Sequence, residues 1–103
     1  MQAIYTRTIR VKDDMLGKAM EIGQGLAKVR KKYFPKHSIY FSFQIGGDPR
    51  TIRETVIGPM FEESNEADAK MSADKKYQSL QKQLKKVAVE GTIQDEIRII
   101  FSE

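Results

Sequence analysis

Strand, helix, two strands, helix, strand is the order of elements predicted within 103 residues, and it defines an α+β sandwich. Two observations carry the prediction. Apolar stripes at helical spacing run over residues 15–33 and 73–87. Around and between them lie four β-branched or alternating segments, at residues 4–11, 38–45, 51–57 and 93–101. A βαββαβ chain of this size is expected to form the ferredoxin-like sandwich, a four-stranded antiparallel sheet with two helices on one face.

The first strand is apolar on both sides, with Ile4 on one face and Tyr5, Ile9 and Val11 on the other, so its sheet is expected to be covered twice. Lys12-Asp13-Asp14 stops it, and either aspartate is suited to cap the first helix. Met15, Ala19, Ile22, Leu26, Val29 and Tyr33 then fall at alternating gaps of four and three. Glycines within that helix suggest close backbone approach to the sheet, and Pro35 ends it. In the second strand Ile39, Phe41, Phe43 and Ile45 share the face expected under the helices, and Ser38, Tyr40, Ser42 and Gln44 share the reverse.

Gly46-Gly47-Asp48-Pro49 reads as a hairpin turn; it lacks the lysine and following helix of a phosphate-binding loop. The third strand sets Ile52, Glu54 and Val56 against Thr51, Arg53, Thr55 and Ile57, and Gly58-Pro59 ends it. Met60-Phe61 is expected to tuck the next loop against the core. The second helical region is expected in two pieces, with a break near Ser72 acting as an internal N-cap. Ala73, Tyr77, Leu80, Leu84 and Val87 form its stripe, and Gly91 is expected to close it. In the last strand Ile97, Ile99 and Phe101 share one face, Arg98 and Ile100 the other.

Composition bounds the function classes. Apolar residues make up 40% and charged residues 31%, as in a single globular domain. With no cysteine, disulfides, thiolate nucleophiles and Cys-based zinc sites are excluded. No apolar run approaches the roughly 20 residues of a membrane span. The chain opens directly in a strand, Gln2-Ala3-Ile4-Tyr5, so no leader is expected and a cytoplasmic location is the default. The net charge of +4 comes mostly from lysines in the helical stretches. Read stretch by stretch, these are solvated helix faces and last-turn cations that complement the helix dipole, so neither a nucleic-acid nor a membrane partner is expected.

Candidate chemistry is sparse. His37, the one histidine, is either a surface loop residue or a rim residue able to act as a base. The carboxylate pairs Asp13/Asp14, Glu62/Glu63 and Asp95/Glu96 read as caps and solubilising groups. The reverse face of the second strand is more suggestive. Tyr40, Ser42 and Gln44 are neither charged nor aliphatic, and Tyr5, Arg7 and Arg53 are their expected neighbours. Phenol, guanidinium and amide groups within apolar walls suit a small polar or aromatic ligand. The competing reading is that these groups satisfy one another within a filled interface.

Three stretches give the chain a family resemblance. Arg7-Thr8-Ile9-Arg10-Val11-Lys12-Asp13-Asp14, the glycine turn at Ile45-Gly46-Gly47-Asp48 with the strand to Val56, and Phe61-Glu62-Glu63-Ser64 with Met71-Ser72-Ala73-Asp74-Lys75-Lys76-Tyr77 resemble the dimeric α/β-barrel superfamily. Within it the likeness is to the NIPSNAP-like and antibiotic-biosynthesis-monooxygenase-like families. The resemblance implies a homodimer through the open sheet face, closed into a dimeric α/β barrel. It also implies a cavity for a small organic molecule and, in monooxygenase-like members, oxygenation without a cofactor. Haem-degrading members rely on a cavity tryptophan and histidine; no tryptophan occurs here, and no cofactor is expected. Two classes stay open: a small-molecule-binding, monooxygenase-like protein, and a non-enzymatic dimeric stress-response or partner-binding module.

Overall fold

The computed structural model describes residues 2–47, 50–60 and 65–102. Seven elements follow in order: β1 (Gln2–Arg10), α1 (Leu16–Tyr33), β2 (Ser38–Phe43), β3 (Thr51–Pro59), α2 (Asn65–Ala73), α3 (Lys75–Val87) and β4 (Gln94–Ile99). The strands form one antiparallel sheet in the order β2-β3-β1-β4. Its register aligns cross-strand rows on the helix side of the sheet: Phe43, Ile52 and Ile9; then Phe41, Glu54, Arg7 and Asp95; then Ile39, Val56, Tyr5 and Ile97.

Two parts of the expected architecture are overturned. The helical layer has three helices where two were expected, and the sheet is open, with β2 and β4 as free edges, not closed into a barrel. Four strands are half of the roughly eight that surround a filled barrel interior, so this sheet keeps two edges. The extra helix arises at Asp74, whose extended backbone (φ −69°, ψ 123°) breaks the helix. Its carboxylate accepts the backbone N–H groups of Lys76 (2.8 Å) and Tyr77 (3.2 Å) and the hydroxyl of Tyr33 (2.6 Å). Those donors hold the Asp74 carboxyl below its ordinary range. The cap is therefore Asp74 and not Ser72, whose carbonyl instead accepts from the Gln78 amide. Asp74→Ala should lower the melting temperature and the helicity by circular dichroism, while Ser72→Ala leaves both unchanged; the reverse ranking would return the cap to Ser72.

The core lies between α1, α3 and the sheet. Val11, Ala19, Ile22, Leu26, Ile52 and Val87 are its most buried apolar side chains. Gly23 lets α1 approach β2: a Cβ there would sit 2.9 Å from the Phe41 ring. The apolar set expected under the helices holds only in its first half. Ile39 is buried and Phe41 packs on the core, but Phe43 is 45% exposed and Ile45, beyond the end of the strand, 87% exposed. The N-cap of α1 is Met15, without a side-chain cap; Asp13 pairs with Arg50 and Asp14 takes a left-handed backbone (φ 63°). Ala88 caps α3 and bridges to Val11, so Gly91 lies in the following turn and does not close the helix. The expected packing of Phe61, the pair Glu62 and Glu63, and the Asp48-Pro49 half of the hairpin turn lie outside the described residues. Among the described residues, no helix is long and apolar enough to cross a membrane.

Candidate functional site

The strand alternation divides the six sequence-derived candidates between two faces. Tyr40, Ser42 and Arg53 stand on the open face, with Gln44 just past the end of β2; Tyr5 and Arg7 share the helix side with Ile9. Ser42, Gln44 and Arg53 border a shallow depression of about 330 Å3 with Thr8, Phe43 and Thr51. Their polar atoms are engaged: Arg53 Nε donates to Thr8 Oγ1 (2.9 Å), and Gln44 accepts from Thr51 Oγ1 (3.0 Å) and donates to the Gly46 carbonyl (2.9 Å). Tyr40 lies apart from this depression and is 57% exposed.

Tyr5 and Arg7 belong to a charged row under the helices. Arg7 stands opposite Glu54 on one neighbouring strand and Asp95 on the other. Its guanidinium donates twice to Asp95, from Nε and Nη2 at 2.8 Å each, the bidentate geometry that suits a carboxylate. That pairing lowers the Asp95 carboxyl and raises the guanidinium. Glu54, 5% exposed, forms an ion pair with Arg30 of α1. Burial pushes its carboxyl up, and Arg30 offsets part of that rise. Burial also raises the Tyr5 hydroxyl, with the nearby Asp95 and Glu54 carboxylates adding to the rise and Arg7 opposing it. Glu54 is the one carboxylate on an otherwise apolar strand face, between Ile52 and Val56, and that placement is the sequence signal for the row. Nothing in sequence spacing points to Arg30 or Asp95 as its companions.

Beside this row a cavity of about 180 Å3 opens between α1 and the sheet. Tyr5, Val56 and Ile39 form its floor, Arg30 comes from α1 and Phe34 from its C-cap, His37 and Pro59 close one end, and exposed Asp68 of α2 stands at the mouth. Phe34, Ile39, Val56 and Pro59 make the walls mostly apolar, with a few convergent polar groups, as in small-molecule sites.

His37 is fixed in place. Its Nε2 lies 3.2 Å from the Pro59 carbonyl, which only accepts, so Nε2 carries the proton in that bond. The ring meets Phe34 edge-on and lies against Gly58, where a Cβ would sit 2.4 Å from it. Nδ1 is buried without a partner. With its N–H engaged and its lone pair covered, His37 offers the cavity a ring wall and not a base. Among the described residues no cluster of His, Cys, Asp and Glu is suited to a metal ion.

An open four-stranded antiparallel sheet with its helices on one face is the NIPSNAP-like and antibiotic-biosynthesis-monooxygenase-like fold, and the chain has that fold. It is similar to a NIPSNAP family protein from Agrobacterium tumefaciens, with 9% identity and a TM-score of 0.77, covering 96% of this chain and 92% of that one. It is similar to an uncharacterized NIPSNAP domain protein from Burkholderia xenovorans, with 10% identity and a TM-score of 0.74 over 98% of each chain. It is also similar to SnoaB, a cofactor-independent oxygenase from Streptomyces nogalater, with 8% identity and a TM-score of 0.69, covering 99% and 95%. At such identities the likeness establishes the fold. No protein-family model and no curated protein matches the sequence.

Proposed function

We propose that the protein binds a small monocyclic phenol in the cleft between α1 and the sheet. The observation that carries this reading is the cavity itself: about 180 Å3, apolar on most sides, with Tyr5 and Arg30 among its lining residues. Asp68 at the mouth disfavours a ligand that arrives as an anion, whereas Arg30 favours an anion formed inside. A neutral phenol that, once bound, releases its proton to water at the open mouth satisfies both. An electron-rich phenolate can reduce dioxygen without a cofactor, and the likeness to a cofactor-independent oxygenase supports that chemistry here. Calorimetric titration with catechol and hydroquinone should give saturable binding, weakened at least tenfold by Val56→Phe, which fills the cavity. Unchanged affinity in a folded Val56→Phe protein would refute the site. Dioxygen uptake above the autoxidation rate would mark an enzyme; binding without uptake would mark a binding module.

The assembly belongs to the same proposal. Ile4 and Ile57 pair directly across β1 and β3 on the open face. Ile100 continues that face beyond β4, its N–H bonding the Gln2 carbonyl. A second copy packed on this apolar end would remove it from water. Sedimentation at micromolar concentration should give about twice the chain mass; a monomer would exclude the dimer, and the cleft on the other side of the sheet would stand without it.

A further inference from the structure

The helical layer carries a charge asymmetry that only the fold assembles. Of the 18 Lys and Arg residues, ten lie in α1 and α3, against one of the 14 Asp and Glu residues, Glu21. The two helices pack together and run antiparallel: Gly25 meets Leu80, Arg30 lies over the Tyr77 ring at 6.0 Å, and Tyr33 bonds Asp74. This brings Lys28 and Lys32 near the end of α1 beside Lys75 and Lys76 at the start of α3, although more than 40 residues separate them in sequence, while Lys31 borders the β2 edge with Ser38 and Tyr40. The four lysines brought together are exposed. Lys28, Lys75 and Lys76 have no acidic partner among the described residues. Asp74, the acid at this junction, is engaged in capping α3 and in the Tyr33 bond.

Solubility alone does not account for this arrangement. Lysines in the last turn of α1 complement its dipole, but Lys75 and Lys76 occupy the first turn of α3, where positive charge opposes it. Placing them next to the α1 lysines adds like-charge repulsion. We infer that this face binds the phosphate backbone of duplex nucleic acid, independently of base sequence. Lysines act as point charges that suit phosphate contacts; bidentate base reading favours arginine. Tyr33 and Tyr77 are half-buried, so the face offers no stacking platform for single strands. The outward side of α3 is all Lys, Gln and Ser, without the apolar anchors of a membrane-surface helix.

Fluorescence anisotropy of a labelled duplex, measured across a salt series, tests this. If about four phosphates are neutralised, log K should fall with log salt at a slope of about −3 to −4. Lys28→Gln/Lys75→Gln/Lys76→Gln should reduce that slope by about 3, whereas Lys12→Gln/Lys70→Gln, off this face, leaves it unchanged. Circular dichroism establishes that both variants fold. No duplex binding, equal loss in both variants, or lysine-dependent binding to phosphatidylserine vesicles without duplex binding would each overturn the inference.

Discussion

Replacing Glu54 with alanine is expected to destabilise the fold by about 3–5 kcal/mol, because it leaves the Arg30 guanidinium unpaired at a site where its side chain is 18% exposed. Arginine cannot escape by losing its proton. The double replacement Glu54→Leu/Arg30→Met removes both charges and should recover most of that loss, since apolar pairs of similar volume often match or exceed buried ion pairs. Urea unfolding of the wild type, the single variants Glu54→Leu and Arg30→Met and the double variant closes the cycle. Additive effects would show that the two side chains do not form a coupled pair.

The same carboxylate sets a pH dependence whose sign can be worked out. Glu54 has a folded pKa above its unfolded value, so its contribution to stability is complete below the unfolded carboxylate range and is lost as pH rises through the folded value. Asp95 runs the other way: its lowered carboxyl stabilises above the unfolded value, and that contribution is lost as pH falls through the lowered one. The stability of Glu54→Gln relative to wild type should therefore rise from mildly acid to neutral pH. A fall over that window would mean that attraction to Arg30 outweighs burial.

Ile22→Ala is expected to cost about 2–5 kcal/mol, the range for deleting a buried aliphatic side chain and leaving a cavity. Ile22 is 1% exposed, at the centre of the α1 face that meets Ile9, Ile52 and Leu84 in the core. In a domain of this size the melting temperature should fall by about 10 °C or more. Phe43→Ala and Ile45→Ala serve as contrasts: both belong to the apolar alternation of the second strand, yet both side chains are exposed and should cost far less. An effect of Ile45→Ala equal to that of Ile22→Ala would mean that β2 continues under the helices.

Local spacing specified what local spacing can reach. A side chain's face in a strand or helix follows from the chain's own period, so the α1 stripe, the inward Ile39 and Phe41 and the outward Tyr40 and Ser42 were legible in the sequence. So was a break in the second helical region. Its position was not, because Ser72 and Asp74 are both good caps and the Tyr33 hydroxyl, 41 residues away, rewards Asp74. Sequence placed the end of β2 too late: alternation persists to Ile45, whereas the strand ends at Phe43 and Ile45 is 87% exposed.

Registration across the sheet and packing between helices decided the rest. Arg7 meets Asp95 across 88 residues, and Arg30 reaches Glu54 only because α1 lies over β3. Alternation along β1 puts Tyr5 and Arg7 on the face of Ile9, and registration with β3 and packing under α1 make that the helix side, apart from Tyr40, Ser42, Gln44 and Arg53. The same packing built a cleft that His37 walls off through a carbonyl 22 residues away. The charge pattern divides in the same way: each basic stretch by itself is a soluble helix face, and antiparallel packing of α1 on α3 makes one continuous cationic surface of the two. The period of a segment is a property of neighbours in sequence. A site, an ion pair or a charged face depends on which distant segments are held together, and here tertiary packing made that selection.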